Sequence, residues 1–236
     1  MRISLTLGLL LIVSSALAAG VPSEVTQTAN RLQQLLNADK VSVSASPIAG
    51  LYEAQIDSEV FYISADGANF IRGDLYESKT RRNLTDEKRN QIRIQKLNAV
   101  SEREMVVFAP KNATKYTINV FTDVTCHYCA KFHKEVPKLN KAGVKVRYFA
   151  FPRAGVNSPT YDKMVSVWCA KNKKQAMTNA KAGRYIEPAT CKNPVAKQLE
   201  LGQNIGVTGT PALVLSDGEL VPGYVPAERL IEYLQQ

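Results

Sequence analysis

The chain has 236 residues, of which 45% are hydrophobic and 22% are charged, and its formal net charge is +9. These proportions are ordinary for a globular protein and exclude the fibrous and intrinsically disordered classes. A chain this basic would suggest a nucleic-acid partner in the cytosol. The N-terminus indicates export instead, so we attribute the charge to solubility or acidic partners and predict no nucleic-acid binding.

The first residues have the pattern of an export signal. Arg2 gives a positive start, residues 5–13 are almost continuously apolar, and residues 16–18 are small enough for signal peptidase. The apolar run is too short to span a bilayer as a helix. We therefore predict a signal peptide over residues 1–18, cleaved near Ala18.

The next segment predicts a small mixed unit. Residues 22–37 carry apolar side chains at helical spacing, and residues 51–56 and 60–63 have the character of strands. Asp66-Gly67 predicts a type I′ hairpin with residues 69–76 as the returning strand. One helix and three or four strands bury little core, so we expect a partner subunit to complete this unit.

A basic segment follows the mixed unit. Residues 79–96 contain seven basic and two acidic residues. Thr85 is placed to cap a helix over residues 85–100, which has no clean apolar stripe. We predict a solvated linker helix in preference to a charged binding patch.

From residue 103 onwards strands and helices alternate, which is typical of α/β proteins. The predicted strands are 105–108, 117–121, 144–149, 212–215 and 219–221, and the predicted helices are 126–140, 159–181, 194–204 and 227–234.

Cys126-His127-Tyr128-Cys129 follows one of these strands and opens a helix. A helix start presents free N–H groups and the positive end of the dipole, which stabilise a thiolate. Cys126 is the exposed, low-pKa candidate, and Cys129 is expected one turn further in and more buried. The spacing permits a small disulfide ring that opens and closes without unfolding. The pair therefore predicts a redox site.

Three other interpretations of this cysteine pair are weaker. A structural disulfide between such near neighbours would add little stability. A zinc site would draw on His127 and His133, but metal ligands usually come from separate elements and no second matching cysteine pair exists. A c-type haem needs histidine where the chain has Ala130. We predict no metal and no cofactor.

Thr208-Gly209-Thr210-Pro211 precedes the last predicted hairpin. A Thr-Pro bond at the start of a strand is a candidate for a cis peptide, although a trans proline in a surface turn is the commoner arrangement. Its combination with the cysteine motif favours the cis form, and we expect this segment to be the second half of the site.

Five segments, in this order, resemble the periplasmic disulfide isomerase family typified by DsbC: residues 120–129, 148–153, 168–171, 206–211 and 220–224. Residues 117–236 are similar to a thioredoxin-fold domain. The resemblance implies a fold of mixed α+β and α/β class. Its expected parts are a cystatin-like dimerisation domain over residues 19–80, a linker helix over 81–100, and a thioredoxin-like catalytic domain with a helical insertion over 101–236.

The resemblance also implies roles for individual residues. Cys126 is then the nucleophile, Cys129 the resolving thiol, and Pro211 a cis-proline facing both. The expected substrate-binding residues are Thr210, Pro211, His127 and Tyr128. The implied partners are a second copy of the chain, misoxidised or unfolded exported proteins, and a membrane thiol reductase of the DsbD type.

Three further residues complete the expectations. The resemblance implies a structural disulfide between Cys169 and Cys191, with a second redox pair or a metal site as the alternative. Asp123, the acid nearest the pair, is expected to cap or stabilise the helix start rather than transfer protons.

We therefore expect a periplasmic disulfide isomerase with chaperone activity. The alternatives are a thioredoxin-fold disulfide oxidase, a sulfenic-acid reductase, or a holdase chaperone whose cysteines are incidental. The first 80 residues argue against an oxidase, since a monomer would serve that reaction.

Overall fold

The computed structural model describes residues 20–235 of the chain. The predicted signal peptide and its cleavage point, residues 1–18, lie outside the described residues. Within residues 20–235, no helix is long and apolar enough to cross a membrane.

The N-terminal part packs one helix against an antiparallel sheet. The helix is α1 (Ser23–Leu35), and the strands, which pair in chain order, are β1 (Val41–Ala45), β2 (Leu51–Ile56), β3 (Glu59–Ser64) and β4 (Phe70–Ile71). The apolar face of α1 and the inner face of the sheet form one small core, whose buried members are Val25, Ala29, Leu32, Ala54, Ile56, Phe61 and Ile63.

Two local predictions for this part are wrong. The returning strand expected over residues 69–76 is only two residues long, because the chain then turns and the Leu75 amide donates to the Thr85 hydroxyl at 2.8 Å. The turn at Asp66-Gly67 is not type I′, since only Gly67 of the two has a positive φ. Strand β1 lies outside the predicted strands, although its two valines alternate with serines as the residues of a half-buried strand do.

Helix α2 (Leu84–Asn98) joins the two parts of the chain. Its N-cap is Asn83, whose side-chain oxygen accepts the Asp86 amide at 3.0 Å. The predicted cap, Thr85, is instead buried inside the helix, where its hydroxyl bonds Tyr62 at 2.6 Å. Either residue type can cap a helix, so the sequence alone did not separate positions two apart.

Helix α2 also contacts the C-terminal part. The Arg93 guanidinium donates to the carbonyl of Ile205 at 3.1 Å and to that of Gly218 at 3.4 Å. Gly218 has φ +89°, and a Cβ there would lie 2.2 Å from the Asn90 carbonyl oxygen. The helix therefore touches the loop of Gly218 backbone to backbone, a contact that only glycine permits.

The C-terminal part is a five-stranded sheet with helices on both faces. Its strands are β5 (Val106–Phe108), β6 (Tyr116–Thr122), β7 (Val144–Ala150), β8 (Ala212–Val214) and β9 (Leu220–Pro222). Its helices are α3 (His127–Lys141), α4 (Pro159–Cys169), α5 (Lys173–Lys181), α6 (Val195–Asn204) and α7 (Ala227–Leu234), and a 3₁₀ turn spans Glu102–Glu104. The strand order is β5-β7-β6-β8-β9, and only β6 and β7 run parallel.

Two apolar cores lie on opposite faces of this sheet. One includes Phe132, Tyr148 and Trp168, and the other is built around Phe121 and Phe149, whose rings stack 5.1 Å apart. Central strand β6 runs between the two cores and ends next to the cysteine motif. The architecture confirms the predicted α+β class, with a thioredoxin fold and a helical insertion, α4 and α5, after β7.

Candidate redox site

Helix α3 begins directly after the turn that follows strand β6. Cys126 is its N-cap, and the Cys126 sulfur accepts the backbone amide of Cys129 at 3.3 Å. This amide and the helix dipole both favour a negative charge on the sulfur. The structure therefore places both cysteines at the helix start that the sequence predicted, and both are free thiols.

The sulfur of Cys126 is less accessible than we expected. Cys126 is 4% exposed and Cys129 is 1% exposed, so the order of burial matches the prediction but an exposed Cys126 is wrong. The loop at Thr210 covers the Cys126 sulfur, and the Cys126 thiol donates to the Thr210 carbonyl at 3.2 Å. At the surface beside the pair lie His127 and Tyr128, the latter 58% exposed.

The Thr210–Pro211 peptide bond is cis, as the motif predicted. The Thr210 hydroxyl is buried and has no hydrogen-bond partner within the described part of the chain. A buried hydroxyl without a partner is rare, and this one is free to donate to a sulfur of the pair. A small cavity of about 180 Å³ lies along the same loop, lined by residues 206–212 and by Leu220, Pro222 and Gly223.

These surroundings shift the pKa values of the two thiols in opposite directions. Burial raises the pKa of Cys126, but the neighbouring Thr210 hydroxyl, the hydrogen bond from the Cys129 amide and the charge of Arg153 outweigh it, so the pKa lies below its usual range. Burial dominates at Cys129 and raises the pKa of that thiol. One cysteine is thus prepared to attack as a thiolate, while the other is held in reserve as a thiol.

Asp123 is buried between the strand and the helix start. Its carboxylate accepts the Thr125 amide at 2.7 Å and the Arg153 Nε at 3.1 Å. Burial raises the pKa of Asp123, but the hydrogen bonds from Arg153 and Thr125 outweigh it and lower the pKa. Asp123 does not cap α3, because the Cys126 sulfur does. It stabilises the preceding turn and holds Arg153, a residue that the sequence analysis gave no role.

The two histidines do not form a site together. His127 is exposed, whereas His133 is buried with Nδ1 3.0 Å from the Tyr148 hydroxyl and Nε2 3.1 Å from that of Thr178. Burial and then the charge of Lys181 lower the pKa of His133 to about 4. His133 is therefore a core histidine, and residues 20–235 contain no group of three His, Cys, Asp or Glu side chains that could hold a metal ion.

The other two cysteines form a disulfide bond, Cys169–Cys191. Cys169 ends helix α4, and Cys191 lies in the loop before α6. The bridge therefore ties the helical insertion to the segment that leads back to the sheet, which is the pairing that the resemblance implied.

The site belongs to a recognisable class. A reactive thiol at a helix start, a buried second thiol one turn on and a cis-proline across from them define a thioredoxin-fold thiol:disulfide oxidoreductase. Residues 102–236 match the family model of a thioredoxin-like domain. Residues 16–86 match that of the disulfide bond isomerase protein N-terminal domain.

Similar proteins cover most of the chain. It is 41% identical over 197 residues to the thiol:disulfide interchange protein DsbC of Escherichia coli (strain K12), covering 82% of this chain and 80% of that protein. It is 38% identical over 228 residues to DsbC of Dickeya dadantii (strain 3937), covering 96% of this chain and 92% of that protein. The chain is also similar to a crystal structure of the disulfide interchange protein from Neisseria gonorrhoeae, with a TM-score of 0.51 and 30% identity. This match covers 58% of the present chain and 99% of the Neisseria chain. The chain belongs to the DsbC family of thiol:disulfide interchange proteins.

The resemblance to the DsbC family leads us to expect glycine at the position that His127 occupies. We expect His127→Gly to lower the reduction potential by about 10–30 mV, because an imidazole next to the thiolate favours the reduced form. The ring is exposed and packs edge-on against Tyr128 at 5.7 Å, so solvent screens the effect. Equilibration of both proteins with glutathione measures the difference. Equal potentials would show that His127 only faces solvent.

Proposed function

We propose that this chain is a periplasmic disulfide isomerase that rearranges wrong disulfides in exported proteins. The observation that carries the proposal is the difference between the two thiols, one with a lowered pKa at a helix N-cap and one buried with a raised pKa. Isomerisation needs a thiolate that attacks a substrate disulfide, and the waiting thiol releases the enzyme from a mixed disulfide that no substrate thiol resolves.

The proposed reaction starts at the Cys126 thiolate. Its sulfur attacks one sulfur of a substrate disulfide, a mixed disulfide forms, and the other substrate sulfur leaves as a thiolate. A different substrate thiolate then displaces Cys126 and leaves a new pairing, with no net oxidation. If none arrives, Cys129 attacks Cys126, releases the substrate reduced and leaves the enzyme pair oxidised. A membrane thiol reductase of the DsbD type is the proposed means of reducing that pair again.

Substrate binding is proposed along the loop of Thr210 and Pro211. The small cavity beside this loop and the exposed Tyr128 and His127 surround the covered sulfur. An extended substrate segment could pair with the backbone of the loop, which suits binding that is independent of substrate sequence. Such a segment must displace the Thr210 carbonyl from Cys126 to reach the sulfur.

The N-terminal part supports a homodimer. Strand β4 lies at the edge of its sheet, and the side chains of Phe70 and Ile71 on it are half-exposed. An edge strand with apolar side chains is a ready surface for a second copy. We propose residues 19–80 as the dimerisation domain, 81–100 as the linker and 101–236 as the catalytic domain. The two sites would then face a shared apolar cleft, which would also give chaperone activity.

The proposed dimer is the feature that would distinguish this isomerase from a monomeric disulfide oxidase. We expect the full chain to reactivate a scrambled, disulfide-rich protein at least about tenfold faster than residues 83–236, which keep the Asn83 cap of α2. Both proteins should exchange with a small disulfide at similar rates. Gel filtration should give a dimer for the full chain and a monomer for the fragment. Equal reactivation by the fragment would contradict the isomerase proposal and favour a monomeric oxidoreductase.

A further inference from the structure

Lys181, the last residue of helix α5, is a buried cation next to the redox site. It is 7% exposed, and its Nζ donates to the Thr122 hydroxyl at 2.6 Å and to the Asp123 carbonyl oxygen at 2.7 Å. No carboxylate forms an ion pair with Lys181 within the part of the chain that the structure describes. A buried charge without a counter-ion is costly, so this placement calls for a function.

The two acceptors of Lys181 connect it to the cysteines. The Asp123 carbonyl oxygen that accepts from Lys181 also accepts the backbone amide of Cys126 at 3.1 Å. Burial raises the pKa of Cys129, and the positive charge of Lys181 is the strongest influence that opposes it. Burial in turn lowers the pKa of Lys181 to about 8, against the opposing influence of Cys129 and Cys126. The lysine and the resolving thiol therefore affect each other's ionisation.

We propose that the amine of Lys181 receives the proton that Cys129 loses when it resolves a mixed disulfide. The resulting ammonium stabilises the Cys129 thiolate in a buried position. This inference rests on the thiol exchange proposed above and assigns the proton of its resolving step.

The resolving step starts from Cys129 as a thiol and from the minor, neutral form of Lys181, which a pKa of about 8 makes accessible near neutral pH. The two N–H groups of this amine donate to Thr122 and Asp123, and its lone pair is free. The proton moves from the sulfur to the amine. The Cys129 sulfur then bonds to that of Cys126, the bond from Cys126 to the substrate sulfur breaks, and the substrate leaves as a thiolate. The enzyme pair is oxidised and the substrate is reduced.

A cavity offers the route by which Lys181 later returns the proton to solvent. It has a volume of about 450 Å³, and Lys181 lines it together with Phe108, Ala130, His133 and Thr178. A pKa near 8 makes the amine suited to both uptake and release of a proton close to neutral pH.

The groups that neighbour Lys181, other than the two cysteines, keep one protonation state around neutral pH. The charged and titratable groups around it are Cys126, Cys129 and His133 of α3, Asp123 of the turn before α3, Tyr148 of β7 and Arg153 of the loop after β7. The pKa of His133 lies near 4 and that of Asp123 is lowered, while burial raises the pKa of Tyr148 and Arg153 stays charged.

The test follows the ionisation of Cys129 itself. In a Cys126→Ser background, ultraviolet absorbance of the thiolate gives the pH midpoint of Cys129. We expect Lys181→Met to raise this midpoint by about one pH unit or more. Lys174→Met, which removes an exposed lysine from the same helix, should leave it unchanged. The same midpoint in all three proteins would overturn the proposal.

A second measurement uses the unmodified chain, in case Lys181→Met does not fold. Lysine-labelled protein is titrated by NMR in its reduced and oxidised forms. The Lys181 midpoint should be lower when Cys126 and Cys129 are joined, because the disulfide removes the thiolates that favour the ammonium. Equal midpoints in both forms would overturn the proposal. Neither measurement uses a substrate protein, so failure of the isomerase proposal in its own assay is a separate result.

Discussion

Replacing Cys126 by alanine should reduce the reactivation of a scrambled substrate by more than about 1,000-fold, to the uncatalysed rate. Cys129 cannot take over the attack, since it is 1% exposed and burial raises its pKa. The Cys129 amide at the helix start, the neighbouring Thr210 hydroxyl and the Arg153 charge all lower the pKa of Cys126. Initial rates of reactivation in a glutathione buffer measure the loss.

The matched control is Cys129→Ala, which keeps the attacking thiolate and removes only the resolving thiol. This variant should retain isomerisation and accumulate a covalent complex with substrate, visible on a non-reducing gel. A Cys126→Ala variant that suppresses aggregation without reactivating would show that chaperone and catalytic activities coexist. Reactivation by Cys126→Ala at the wild-type rate would mean that the cysteines are incidental to a holdase.

Removing the bridge of the helical insertion should have the largest effect on stability. We expect Cys169→Ala combined with Cys191→Ala to lower the free energy of unfolding by about 3 kcal/mol, since the bond joins residues 22 apart in sequence and restricts the unfolded chain. The Trp168 side chain, next to the bridge, is buried in the larger core. Denaturant unfolding under oxidising conditions gives the difference.

The control for the bridge is the wild-type chain unfolded with a reductant, which should approach the variant. The double variant should still exchange thiols at low temperature, because Cys126 and its cis-proline loop contain neither cysteine of the bridge. An unchanged midpoint and slope of unfolding would show that the bridge adds nothing to stability.

The sequence predicted elements best where apolar residues form long buried runs. Strands β6 and β7 and helix α3 lie within one or two residues of their predicted bounds for that reason. The errors lie where short polar residues decide the local structure. Thr85 and Asn83 both suit an N-cap, and the two-residue strand β4 ends because of a hydrogen bond to Thr85 that no local pattern encodes.

The site was predictable only in the residues that its motifs contain. Cys126, Cys129, Thr210 and Pro211 stand in recognisable sequence and meet in the structure. Lys181 gave a weaker signal, a charged residue one helical turn after the buried Met177. Its role depends on tertiary contacts with the turn before α3, 58 and 59 residues earlier in the chain.

The close approach of helix α2 to Gly218 restricts the movement of this helix relative to the C-terminal part. The backbone of Asn90 in α2 contacts the backbone of Gly218 directly, and Arg93 donates to the carbonyls of Ile205 and Gly218. These contacts leave no space for α2 to move closer to the loop of the β8–β9 hairpin. Strand β8 of this hairpin pairs with β6, the strand that leads to the cysteines. Helix α2 is therefore held rigidly against the C-terminal part. In the proposed homodimer, its length and angle would set the distance between the two redox sites and the size of the folding chain that fits between them.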